Sequence, residues 1–134
     1  MDVSQCPWFN QHFTDLTHDE TQKRKKAVNG IVKHLRHNRN DEKFKTTLEY
    51  TFKRLLRGLQ SNKGLYRAGA CLCLTRILES DLEVDPREVL TVIKSTTQKA
   101  DCVQIRRDYV DRHLGRFFAL NSMVQAGCFA DEKK

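Results

Sequence analysis

The 134-residue chain is 39% hydrophobic and 31% charged, with a formal net charge of +7, two prolines and six glycines. That balance excludes a disordered chain, and the scarcity of breakers favours long helices over many short strands. No apolar run approaches the roughly 20 residues of a membrane span, and five cysteines, an odd number without disulfide-like spacing, point to a reducing compartment.

In chain order, "CPWFNQHFTDL" reads as a short helix opened by Pro7, whose fixed φ suits a first helical position. Trp8, Phe9, Phe13 and Leu16 are expected to dock on the chain beyond it. "THDETQKRKKAVNGIVKHLRHN" places Val28, Ile31, Val32 and Leu35 on one stripe at helical spacing, with Lys23, Lys26, Lys33 and His37 opposite. Asp or Thr is expected to cap its start. After the polar break "HNRND", a third helix over roughly residues 41–59 carries Phe44, Leu48, Phe52, Leu55, Leu56 and Leu59 on its inner stripe. Lys43, Tyr50, Lys53, Arg54 and Arg57 fall on its outer face. A fourth helix, about 64–79, is apolar nearly all round, which predicts burial between neighbours. "DPREVL" restarts the chain, with Asp85 as cap, Pro86 at the first position and Glu88 at capping-box spacing. Val89, Leu90 and Ile93 face inward. The last helix, about 103–126, is expected to bury Val110, Leu114, Phe117, Phe118 and Val124, and Gly127 suits the position just past its end.

No strand-like alternation competes with these stripes. The expected fold class is all-α: five to six amphipathic helices forming one unit over residues 1–134, a segment of α-solenoid. The nearly all-round apolar helix and the lack of sustained heptads favour the solenoid, although periodicity alone leaves a closed bundle open.

The stretch "RGLQSNKGLYRAGACLCLTRIL" superficially offers two sites. Gly64 and Gly69 have phosphate-loop spacing, but Ala70 and Cys71 follow where Lys and Ser/Thr would reach phosphate and metal, and no strand precedes them. Cys71 and Cys73 would point about 200° apart on a helix and so cannot share a metal ion; both read as small core residues. His113 and Cys128 are isolated. His18 sits at a helix start and His113 beside an apolar stripe, where structural roles outweigh catalysis. Neither a catalytic residue, a metal site nor a cofactor is expected.

Charge is the informative signal. Residues 23–67 hold fourteen Lys/Arg against three Asp/Glu, a balance of +11, while the remainder of the chain carries −4. Such clustering is either a solvated surface or a footprint for polyanions. The candidate phosphate-binding residues are Lys23, Lys26, Lys53, Arg54, Arg57 and Lys63, with Tyr50 as a stacking group. No base-reading signature accompanies them, so binding should be sequence-independent and salt-sensitive. An acidic protein tract would suit the same cluster. Arg67, near the start of a buried helix, could instead pair within the junction between helices.

The order of these motifs resembles the N-terminal region of the DNA polymerase V / Myb-binding protein 1A family. The similarity begins at "FNQHFTDLTHDETQKRKKAVNGIVKHL" and is strongest over "LEYTFKRLLRGLQSNKGLYRAGACLCLTRIL". There Tyr50, Lys53, Arg54, Leu55, Gly58, Leu59, Arg67, Gly69, Leu72, Leu74 and Thr75 occupy the family's pattern. Gly115, Arg116, Phe118, Gln125 and Gly127 match its closing motif, while Ala119 and Asn121 depart from it. The resemblance implies an armadillo/HEAT-like helical-repeat fold and a nucleolar protein acting in rRNA gene transcription, ribosome biogenesis and transcriptional co-regulation. Its partners would be rDNA or rRNA, or proteins of those pathways, and not membranes or small molecules. Family members are longer, so this chain is expected to be an N-terminal part. Gly58, Leu59, Arg67 and Gly69 would form a structural junction. The competing functions are a pure protein-interaction module and a DNA-directed DNA polymerase; nucleotidyl transfer needs clustered carboxylates for two metal ions, which the sequence does not display.

Overall fold

The computed structural model describes residues 7–61, 63–80, 82, 84–97 and 106–128. Among them the structure is all-α, with six helices: α1 (Pro7–Asp15), α2 (Thr21–His37), α3 (Phe44–Leu59), α4 (Gly64–Glu79), α5 (Pro86–Thr97) and α6 (Arg106–Gln125). Consecutive helices pair as hairpins, α1 with α2, α3 with α4, and α5 with α6. The second helices of the hairpins stack in one layer, α2 on α4 and α4 on α6, while α5 packs on α3 in the other. This is packing of the helical-repeat kind.

Local chemistry explains the boundaries. Pro7 and Pro86 open α1 and α5, and the Asp85 carboxylate accepts the Arg87 backbone N–H at 2.9 Å, as the sequence predicts for a cap. The α2 start differs from expectation: Glu20 occupies the cap position without a side-chain bond. His18 organises that turn instead, its Nδ1 accepting the Glu20 N–H at 3.0 Å. At the end of α6, the N–H groups of Gly127 and Cys128 donate to the carbonyls of Val124 and Met123, each at 3.0 Å. Gly127 has φ of +82°, the left-handed conformation this closing motif requires.

The core runs through both layers and includes Phe9, Ile31, Leu35, Leu55, Leu56, Leu59, Leu74 and Ile77, all fully buried. Phe13 and Leu16 dock as expected, but Trp8 stays 55% exposed, its ring edge-on to His34 at 4.7 Å. The middle helix α4 lies against α2, α3 and α6. It buries Cys73 and Leu74, half-buries Cys71, and leaves Leu65 and Tyr66 of its first turn in solvent.

The sequence reading of α6 requires correction. Its buried face is Gly115, Ala119, Ser122 and Met123. Leu114, Phe117 and Val124, expected inside, are exposed, and Phe118 is half-buried; the Val110 side chain lies outside the described residues. Small residues let the α6 backbone approach the end of α3. A Cβ on Gly115 would lie 3.2 Å from the Cα of Gln60 and collide with its side chain. Close approach of backbones, not side-chain bulk, decides which face turns inward here.

Candidate polyanion-binding surfaces

On α2, the residues Ala27, Val28, Ile31 and Leu35 turn inward and oblige the intervening positions to face solvent. Lys23, Lys25, Lys26 and Lys33 are exposed there. Arg24, within the same run, folds back instead. Its Nη1 donates to the His18 carbonyl at 2.7 Å and its Nη2 to the Thr21 hydroxyl at 3.1 Å, clamping the α1–α2 turn.

The α3 face divides in two. Lys53 and Arg57 are exposed, and Lys53 lies 3.2 Å from Glu49 one turn earlier. Such an exposed pair is worth well under about 1 kcal/mol and releases easily to a stronger anion. Tyr50 and Arg54 do not belong to a free outer face. The Tyr50 hydroxyl donates to Asn10 Oδ1 at 2.8 Å and accepts from Arg54 Nη1 at 3.0 Å. The Arg54 guanidinium lies 4.6 Å above the Phe13 ring, and Phe13 meets Tyr50 edge to face at 6.2 Å. Helix α1 packs on this flank, so the two half-buried side chains fasten α1 to α3. The exposed tyrosine beside a lysine is Tyr66, with Lys63 Nζ 5.1 Å above its ring. Lys63 itself is exposed, as expected.

The junction residues meet at the crossing of α3 and α4. Leu59 is fully buried. A Cβ on Gly58 would stand 3.0 Å from the Ala70 methyl, and one on Gly69 would land on the Leu16 carbonyl oxygen. Arg67 donates from Nη1 to the Ser61 carbonyl at 2.7 Å and sits 6.0 Å over the Phe118 ring. It therefore ties the α3–α4 turn to α6. The apparent phosphate loop is this crossing: Gly64 opens α4, and Gly69 makes room for a carbonyl. Burial raises the thiol pKa of Cys71 and Cys73, which keeps both protonated as core groups.

The structure also brings together a basic surface that the sequence reading did not assemble. A hollow of about 740 Å³ lies between α2 and α4. Helix α2 supplies Asn29, Val32, Lys33 and Arg36, α4 supplies Arg76 and Glu79, and Ser80 follows just past the end of α4. A smaller hollow of about 140 Å³ continues it toward Lys25 and Leu72, sharing Asn29 and Arg76 with the first. Arg36 and Arg76 are forty positions apart in sequence, and each reads alone as ordinary helix surface.

The model of the DNA polymerase phi family matches residues 50–134, more than half of the chain. The chain belongs to the DNA polymerase phi family. No curated protein and no solved structure matches it. The matched segment of this DNA polymerase phi family member starts at Tyr50, inside α3, and carries the Gly58–Arg67–Gly69 junction and the small inner face of α6. Helix α2, the most basic of the helices, precedes the match, while Lys53, Arg54, Arg57 and Lys63 lie within it.

The family's name raises the question of nucleotidyl transfer. Among the described residues, no three His, Cys, Asp or Glu side chains gather in a group that could hold a metal ion. The described helices include none long and apolar enough to cross a membrane.

Proposed function

We propose that this DNA polymerase phi family chain is a non-enzymatic armadillo/HEAT-type scaffold segment that works in the nucleolus, in rRNA gene transcription, ribosome biogenesis and transcriptional co-regulation. Its outer basic residues bind rDNA or rRNA phosphates without reading sequence. The observation that carries the reading is the set of exposed cations on the outside of the hairpins: Lys23 and Lys26 on α2, Lys53 and Arg57 on α3, and Lys63 at the head of α4. Long, flexible lysines on convex helix surfaces suit a phosphate backbone, whose binding is dominated by counterion release. Family membership supports the nucleolar assignment, and the stacking of hairpins in two layers supports the solenoid.

The test is the salt dependence of binding to duplex DNA and single-stranded RNA of unrelated sequence. A Lys23→Glu, Lys26→Glu, Arg57→Glu, Lys63→Glu variant should flatten the slope of log affinity against log salt by about 3, roughly 0.7–0.9 per lost phosphate contact. An unchanged slope removes these residues from the interface. Magnesium-dependent primer extension by the purified chain would overturn the non-enzymatic assignment, and exclusion of the tagged chain from nucleoli would overturn the localisation.

A further inference from the structure

From the hollow between α2 and α4 we infer that it is a docking trough for an acidic, amphipathic helical segment of a protein partner. It is distinct from the outer lysines assigned to nucleic acid. Lys25, Asn29, Val32 and Arg36, at i, i+4, i+7 and i+11, form one stripe of α2 along the trough. At 1.5 Å per residue that stripe is about 16 Å long, the length of some three helical turns. Leu72 and Arg76 answer it from α4 at i and i+4, with Ser80 just past the end of that helix.

The chemistry is that of a basic rim over a partly apolar floor. Among the described residues, Lys25, Lys33, Arg36 and Arg76 line it together with the carboxylate of Glu79. Val32 and Leu72 remain partly exposed between them. The negative ends of α2 and α4 account for Arg36 and Arg76 as dipole partners in the last turns. They do not account for Lys25 and Lys33, nor for the apolar strip left beside the basic wall of α2.

Charge complementarity selects an anion, and the floor selects which kind. Among the described residues, neither hollow is lined by Phe, Tyr or Trp, so these walls give single-stranded nucleic acid no stacking platform. A duplex carries its phosphates on a convex surface and would touch only the rim. A helix with Leu or Val at i, i+3/i+4 and i+7 would lay that edge on Val32 and Leu72, placing flanking Asp and Glu against the cations. The guanidinium groups of Arg36 and Arg76 are forks suited to carboxylate.

The experiment uses the 134-residue chain and four probes: a labelled acidic peptide of about 16 residues with leucines at helical spacing, its scrambled isomer, polyglutamate and oligothymidylate. The amphipathic peptide should bind about tenfold or more tightly than the scrambled peptide and polyglutamate. A Lys33→Glu, Arg76→Glu variant should weaken it about tenfold or more. Amide NMR shifts of the unsubstituted chain should map the peptide to Asn29, Val32, Leu72 and Arg76, which keeps the test independent of whether the variant folds. Equal binding of the scrambled peptide or polyglutamate, no binding of any peptide, or displacement of the peptide from those amides by oligothymidylate would each overturn the assignment. The Lys23, Lys26, Arg57 and Lys63 variant should keep peptide affinity, so this assignment and the nucleic-acid reading fail separately.

Discussion

Gly69 offers the sharpest test of how the hairpins are held together. Replacing it with alanine adds one methyl group directly on the Leu16 carbonyl oxygen, with the Leu16 carbonyl carbon at 3.0 Å and its Cβ at 3.3 Å. The obstacle is backbone and cannot rotate away, so the α1–α2 turn must move off α4. Overpacking of this kind costs about 1–3 kcal/mol, and a backbone obstacle places it at the upper end. Alanine returns up to about 1 kcal/mol through its better helix propensity. The net expectation is a loss of about 2 kcal/mol. Urea unfolding followed by circular dichroism should show the midpoint fall without a change in slope. Gly64→Ala is the control: its added Cβ would meet nothing closer than Arg67 Nη2 at 3.9 Å, so its midpoint should be unchanged or slightly raised. A Gly69→Ala chain as stable as the parent would refute the close contact of α4 with the α1–α2 turn, and with it the packing explanation of this glycine.

Tyr50→Phe removes the hydroxyl that joins Asn10 to Arg54; it should cost about 1 kcal/mol in unfolding free energy while leaving nucleic-acid affinity and its salt slope unchanged. Phe117→Ser on the exposed face of α6 should change stability by no more than about 0.5 kcal/mol, whereas Ala119→Leu on its inner face should destabilise by about 1–3 kcal/mol in the same urea assay. Burial, reinforced by His12 and His37, lowers the pKa of His34 from its ordinary 6.5, so the folded chain favours the neutral ring. The unfolded chain then takes up the proton first: the His34 contribution is fully present above about 6.5 and is lost as pH falls from there through the folded value. Urea midpoints across that range should fall with pH, less steeply in a His34→Gln chain.

The same physical distinction separates what was legible in the sequence from what was not. The stripe of α3 could be read because Leu48, Phe52, Leu55, Leu56 and Leu59 are bulky and recur at the helical period. Asp85 and Gly127 could be read because each satisfies a local backbone requirement. In α6 the same method selected the wrong face, because apolar bulk is a measure of transfer from water and takes no account of how closely two backbones must approach. Gly115 and Ala119 are inside by virtue of being small. Tyr50 and Arg54 show a second limit: a helical wheel describes one helix, and only the docking of α1 through Phe13 and Asn10 removes them from the surface. The trough shows the same limit in reverse, since its walls become a site only when α2 and α4 lie side by side. The glycine-rich stretch that imitates a nucleotide site unites these points. Gly69 is required by contact with Leu16, outside the stretch, and Gly58 by contact with Ala70, while Arg67 is held by the Ser61 carbonyl and the Phe118 ring. A motif of small and basic residues on adjoining helices therefore identifies a crossing before it identifies a ligand.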